Sequence, residues 1–165
     1  MGKSLEDLKA AFAGESQANR KYAVFAKKAE DEGYKQAAKL FRAASLAEAI
    51  HAGTHLRSML GVKSTAENLQ TAIEGEHYEV NTMYPDFMKD AEAEGEKPAL
   101  AGFKKAWEAE KVHEVLYKEM LASLSKDDEE YDFYLCPVCG HIHARFAPDV
   151  CPICGAPKER YERIS

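Results

Sequence analysis

Two Glu-x-x-His steps, Glu48 to His51 and Glu110 to His113, recur sixty-two residues apart on helical stripes that are otherwise apolar. Residues three apart lie about one helical turn from each other on the same face. Three-four spacing gives a first stripe of Leu8, Phe12, Glu15, Tyr22 and Ala29, and a second of Phe41, Ala44, Glu48, His51 and His55. A third runs through Leu69, Ile73, Glu76, Glu79 or Val80, Met83 and Phe87, and a fourth through Phe103, Trp107, Glu110, His113, Tyr117 and Met120. Five carboxylates thus fall on faces that should bury, with His51 and His113 beside them. Unpaired, each carboxylate would cost several kcal/mol, and no Arg or Lys on those stripes neutralises them. Glu30, Glu92 and Glu94 are ordinary solvated residues by comparison.

The helical punctuation is regular. Ser4, with Asp7 three residues on, is expected to cap a first helix that stops at Gly33; a second runs to Gly61. A third starts near Thr65 or a few residues later and stops at Gly95, and Pro98 marks the start of a fourth that ends near Leu124. Pro85 should kink the third helix just before Asp86. A shift of sixty-two residues superposes Tyr22, Phe25, Gly33, Phe41, Glu48 and His51 on Tyr84, Phe87, Gly95, Phe103, Glu110 and His113, whereas Gly14-Glu15 falls on Gly75-Glu76 with a shift of sixty-one. Two hairpins of common design predict one four-helix bundle with a crossover between the second and third helices.

A pair of cations resolves the conflict on the stripes. Glu48 with His51 and Glu110 with His113 can each hold one metal while the Glu bridges to the other, and Glu15 and Glu76 supply one further carboxylate each. This is the ligand pattern described for ferritin-like di-iron and di-manganese bundles. Glu79 breaks the repeat, since Ala18 is its counterpart, and reads either as one of the buried carboxylates or as a polar residue at the edge of the stripe. His77 reads as a surface or outer group, His55 as a residue one turn beyond His51, and Trp107 as core. Tyr22 and Tyr84, two turns beyond Glu15 and Glu76, suit either core packing or a hydrogen bond to a ligand carboxylate.

Beyond the acidic run 126–130 the composition changes to Cys, Pro, Gly and aromatics, which places a boundary there: a bundle over 1–125, a linker over 126–130 and a metal-dependent domain over 131–165. Cys136-Pro-Val-Cys139-Gly and Cys151-Pro-Ile-Cys154-Gly form a tetrahedral thiolate signal that suits zinc or iron alike. In a chain of 165 residues with 45% hydrophobic and 30% charged residues, no apolar run is long enough for a membrane span, and Lys3, Glu6, Asp7 and Lys9 precede any stretch that could act as a signal. A cytoplasmic protein is the expectation. The net charge of −6 argues against nucleic acid as a partner.

The segments Phe12-Ala13-Gly14-Glu15-Ser16-Gln17-Ala18, Gly75-Glu76-His77-Tyr78-Glu79 and Met83-Tyr84-Pro85, together with the two Glu-x-x-His pairs, resemble the rubrerythrin family over essentially the whole chain. The resemblance implies an all-α ferritin-like four-helix bundle followed by a small rubredoxin-like domain. It implies two non-haem irons, with Glu15, Glu48, Glu79 and His51 around one and Glu76, Glu110 and His113 around the other, Glu48 and Glu110 bridging. Tyr22 and Tyr84 match the tyrosines beside that site, and Cys136, Cys139, Cys151 and Cys154 the ligands of one further iron. The activity implied is a peroxidase that reduces hydrogen peroxide to water with electrons passed through the four-cysteine iron. Competing readings are a ferroxidase or dioxygen reductase, and an iron-binding protein whose tail is a structural zinc ribbon. The eleven-residue interval between the Cys pairs is shorter than in free-standing rubredoxins.

Charge counting gives Glu79 a purpose. Four carboxylates balance two ferrous ions, but a ferric pair with a bridging hydroxide calls for a fifth, so one iron should prefer His51 when reduced and Glu79 when oxidised, an exchange the resemblance also implies. Glu110 lies fourteen residues, about 21 Å of helix, before Leu124, so the tail is expected to begin far from its own carboxylates. A head-to-tail homodimer would then bring each tail to the partner's site, as the resemblance implies. The electron donor is expected to be an external protein, a rubredoxin or a reductase, since no Gly-rich dinucleotide fingerprint is present.

Overall fold

A computed structural model describes residues 2–125 and 130–165. The order is α1 (Lys3–Asp31), α2 (Lys35–Ser58), α3 (Thr65–Tyr78), a π-helical turn (Glu79–Met83), α4 (Tyr84–Glu94), α5 (Lys97–Ala122), then β1 (Phe133–Leu135), β2 (Ile142–Ala144) and β3 (Glu162–Ile164). They group into two compact units, Met1–Lys63 and Ser64–Ser165. Most of the acidic run, 126–129, lies outside the described residues, and Glu130 is exposed.

The first unit is the α1–α2 hairpin. Its fully buried positions are small, Ala26, Ala29, Ala38, Ser45 and Ala52. Small residues let two helix backbones approach closely, and the larger stripe residues Leu8, Phe12, Tyr22 and Phe41 are half-buried, because a two-helix hairpin covers only one flank of each stripe. A polar cross-tie joins the helices: Asn19 Nδ2 donates to the Ser45 carbonyl at 2.7 Å and Ser45 Oγ to the Asn19 carbonyl at 2.9 Å. α1 starts after Gly2 with no side-chain cap, so Ser4 lies inside the first turn and is not the cap expected of it. A Lys3–Asp7 ion pair of 2.7 Å spans that turn instead.

The second unit repeats the hairpin with one change. Tyr84, Phe87 and Phe103 form a ring cluster with centroids 5.6 to 6.4 Å apart, matching Tyr22, Phe25 and Phe41 at 5.7 to 6.3 Å. The irregularity expected at Asp86 lies upstream of Pro85, at Glu79–Met83. Proline lacks the N–H that would serve a carbonyl one turn earlier, so the disturbance falls on the preceding turn while Pro85 itself sits in the first turn of α4. Gly95 ends α4 at φ 74°, a left-handed conformation that glycine adopts without a Cβ penalty.

The three short strands form an antiparallel sheet in the order β2–β1–β3, with Tyr134 opposite His143 and Arg163. Its small core is built on Cys136, Cys151 and Ala156. A domain whose core is mostly sulfur relies on metal to hold it. β2 also lies against α5.

α3 opens with a reciprocal cap: the Glu67 amide donates to Ser64 Oγ, and the Ser64 amide donates to Glu67 Oε2 at 3.2 Å. Ser64→Ala should lower stability by about 1 kcal/mol, read as an earlier midpoint in chemical denaturation with an unchanged slope.

Candidate metal centre

In the first hairpin, Glu15 on α1 meets Glu48 and His51 on α2, and one ligand atom from each lies within 4.8 Å of the others. His51 Nδ1 is 3.0 Å from Glu48 Oε2 and 4.0 Å from Glu15 Oε1. In the second, Glu76 on α3 meets Glu110 and His113 on α5 in the same way, with His113 Nδ1 2.6 Å from Glu110 Oε2 and 4.0 Å from Glu76 Oε1. Sequence repetition therefore becomes geometric repetition. The environments differ, since the His51 side chain is 55% exposed and that of His113 16%.

Each group pairs one carboxyl whose affinity for a proton is raised with one whose affinity is lowered. A shared hydrogen bond with Glu48 raises Glu15, and hydrogen bonds from Glu15 and His51 lower Glu48. Burial, then the hydrogen bond to Glu110, pushes Glu76 up to about 7. The His113 hydrogen bond holds Glu110 down. Burial works against charge on His113, but hydrogen bonds to Glu110 and the Gly140 carbonyl outweigh it and raise the imidazole.

Glu76 Oε2 is buried without a hydrogen-bond partner among the described residues. Such an oxygen is costly in an all-protein site and is satisfied by a cation, so the donor set of two carboxylates and an imidazole fits a hard or borderline metal such as iron. At the tail, Cys136 and Cys154 Sγ atoms are 3.6 Å apart, as are those of Cys139 and Cys151. Four sulfurs about 2.3 Å from a central metal would sit about 3.8 Å from one another, so the thiols are already arranged for a tetrahedron. The two knuckles match: Gly140 N donates to the Cys136 carbonyl at 2.9 Å and Gly155 N to that of Cys151 at 3.0 Å, with both glycines left-handed. Burial pushes the Cys151 thiol up, yet bonds from the Tyr161 hydroxyl and the Cys154 and Ile153 amides bring it down to about 6.

The two metal-binding pieces of the second unit touch. His113 Nε2 lies 2.9 Å from the carbonyl oxygen of Gly140, the residue after Cys139. A carbonyl only accepts, so Nε2 carries the hydrogen and Nδ1, which faces Glu110 and Glu76, is the nitrogen able to bind metal. Although the tail begins about 21 Å of helix beyond Glu110, its first cysteine knuckle lies on His113 of the same chain. Next to the contact, Leu69, Leu116, Met120, Phe133, Leu135 and Ile142 line an apolar cavity of about 380 Å³.

Glu79 is half-buried at the start of the π turn, outside the tight trio, and burial together with the Glu110 charge raises it. Tyr84 is raised by burial and by Glu110, Glu79 and Glu76, which places its phenol beside those carboxylates. Tyr22 packs on Phe25 and Phe41. His55 is half-buried and acts on Glu15 through its charge. His77, exposed as expected, is bonded at 2.9 Å to Glu114, a buried carboxylate that the sequence reading missed and that Lys118 also meets at 2.7 Å. The Glu114-to-Lys118 spacing was the available signal. Trp107 does more than fill core, since its indole Nε1 donates to the Val80 carbonyl at 2.8 Å.

Among the described residues no helix is long and apolar enough to cross a membrane. The rubrerythrin family model matches residues 6–121, and the model of the rubrerythrin rubredoxin-like domain matches residues 134–162. Nigerythrin of Nitratidesulfovibrio vulgaris is 38% identical over 98% of this chain and 86% of its own. Rubrerythrin of Porphyromonas gingivalis is 35% identical over 97% and 89%. The solved structure of fully reduced, all-ferrous nigerythrin has a TM-score of 0.61 at 36% identity, covering 99% of this chain and 88% of that one.

In the metal-free protein the raised Glu76 binds its proton in the fold and less so when unfolded, so its contribution to stability is full below about 4.5 and is lost as pH rises through about 7. Metal binding must expel that proton. Loading the metal-free protein with ferrous ion under anaerobic conditions should release more protons at pH 6 than at pH 8, read with a pH indicator, with Glu76 and the raised His113 imidazole both contributing, and Glu76→Gln should reduce the difference.

Proposed function

The chain belongs to the rubrerythrin family, with a di-iron carboxylate site and a rubredoxin-like four-cysteine iron site, and from that premise we propose that it is a peroxidase reducing hydrogen peroxide to water. Membership in this family makes the chain an iron-binding protein of an oxidative-stress family of oxidoreductases. The proposed ligands of the di-iron centre are Glu15, Glu48, His51, Glu76, Glu79, Glu110 and His113, and those of the third iron are Cys136, Cys139, Cys151 and Cys154. When bound, the iron supplies the two electrons that, with two protons, convert one peroxide into two waters.

The observation that carries the proposal is the hydrogen bond from His113 Nε2 to the Gly140 carbonyl. A tail that merely held itself together would have no need to meet a ligand of the other centre. Here the path from Cys139 crosses one peptide unit and one hydrogen bond to reach the imidazole. That supports a relay of electrons from an external donor protein through the four-cysteine site. The same bond fixes the His113 tautomer, leaving Nδ1 directed at the carboxylates. Glu110, held ionised by His113, is ready to bind a cation, and Glu76 gives up its proton when one arrives. Tyr84 lies beside the carboxylates of the second hairpin and is held there by packing on Phe87 and Phe103.

Cys151→Ser should abolish peroxide turnover driven by an external reductant while leaving the helical domain folded with two irons. Equal turnover by variant and parent would replace the relay with a structural tail. Stopped-flow reoxidation of the reduced parent should be at least tenfold faster with peroxide than with dioxygen at equal concentration; the reverse order would make the protein a dioxygen reductase or ferroxidase.

A further inference from the structure

The two hairpins are tied at equivalent positions by different means. Asn19 and Ser45 correspond to Val80 and Trp107 under the shifts of sixty-one and sixty-two. In the first hairpin Ser45 Oγ donates to the Asn19 carbonyl, and in the second Trp107 Nε1 donates to the Val80 carbonyl. Asn19 lies in an uninterrupted helix, but Val80 lies in the π turn. The change of shift shows why that turn exists. Glu15 and Tyr22 are seven residues apart, about 700° of helix and nearly two full turns, whereas Glu76 and Tyr84 are eight apart, which in a straight helix would rotate Tyr84 about 80° off the stripe. The widened turn absorbs the extra residue and returns Tyr84 to its place with Phe87 and Phe103.

Absorbing it leaves a debt in hydrogen bonds. The Tyr84 amide, which a straight helix would aim at Val80, donates to the Glu79 carbonyl. The next residue, Pro85, has no N–H to offer. Val80's carbonyl is met by the indole, whose ring is itself held under the Lys111 ammonium 3.9 Å from its centroid. Glu79 is the first residue of the turn so secured.

We propose that Trp107 is a positioning residue: its indole N–H, bound to the Val80 carbonyl, holds the helix in the widened register that keeps Glu79 beside Glu110 and His113. Without that donor, the Tyr84 amide would be drawn back to Val80, the extra residue would shift along the helix, and Glu79 would rotate away. The inference deepens the proposed function, since it rests on the reading of Glu79 as a carboxylate of the di-iron centre.

Because the chain has a single tryptophan, replacing tryptophan globally by benzothienylalanine alters position 107 alone, keeping the ring shape and removing the N–H. The test compares reduction potentials of the di-iron centre in the iron-loaded full-length chain for the parent, Trp107→Phe, the benzothienyl protein, Glu79→Gln and Glu79→Gln combined with each change at 107. Loss of Glu79 should raise the potential, because a ferric pair is then under-neutralised. Both changes at 107 should reproduce at least half of that rise and add nothing in the Glu79→Gln background. A shift in Glu79→Gln with parental potentials in both 107 variants would overturn the role of Trp107 alone. Equal shifts with and without Glu79 would also overturn it, since they would mean that Trp107 acts through general packing. Parental potentials in Glu79→Gln would remove the reading of Glu79 and this inference with it.

Discussion

A carboxylate on the apolar stripe of a helix is tolerated only if something cationic meets it, and most of this molecule is arranged around that requirement. Glu15, Glu48, Glu76 and Glu110 take stripe positions that an ordinary helical bundle fills with apolar side chains. Each hairpin places one imidazole beside its pair of carboxyls, and in each pair one carboxyl has its proton affinity raised and the other lowered. The raised and lowered members of each pair are the two ends of one shared hydrogen bond. Glu76 Oε2, buried and without a donor among the described residues, marks where protein groups alone fail to complete the site.

The two hairpins are two versions of this arrangement, alike in geometry and different in a few particulars. The ring clusters and the distances from histidine to carboxylate agree between hairpins to within a few tenths of an ångström. The second hairpin has one more residue between its stripe positions, the widened turn that accommodates it, Trp107, and the His77–Glu114–Lys118 cluster across α3 and α5. It also has the tail lying on its histidine. The first has plain helices and the small Asn19–Ser45 tie.

What was legible in the sequence had a short period or a fixed spacing. Helical stripes, the Glu-x-x-His steps and the Cys-x-x-Cys-Gly turns each depend on residues within about one turn of each other, so the chain itself displays them. The change of shift from sixty-one to sixty-two was visible too, but not which turn absorbs the added residue. Pro85 pointed one turn too far along, because a proline acts on the carbonyls before it. Ser4 looked like a cap by type, and type alone does not decide which residue adopts the extended conformation; Gly2 does so here. The contact of Gly140 with His113 joins residues twenty-seven apart through a backbone carbonyl, which carries no side-chain signature.

Gly140 serves two masters. Its left-handed backbone completes the turn around Cys136 and Cys139, and its carbonyl fixes the proton on the far side of His113. The turn around the first two sulfurs and the tautomer of a distant imidazole are therefore settled by the same peptide unit. A residue with a Cβ at position 140 would strain the turn and, through the carbonyl, disturb the nitrogen that faces the carboxylates, so one backbone position answers to both centres.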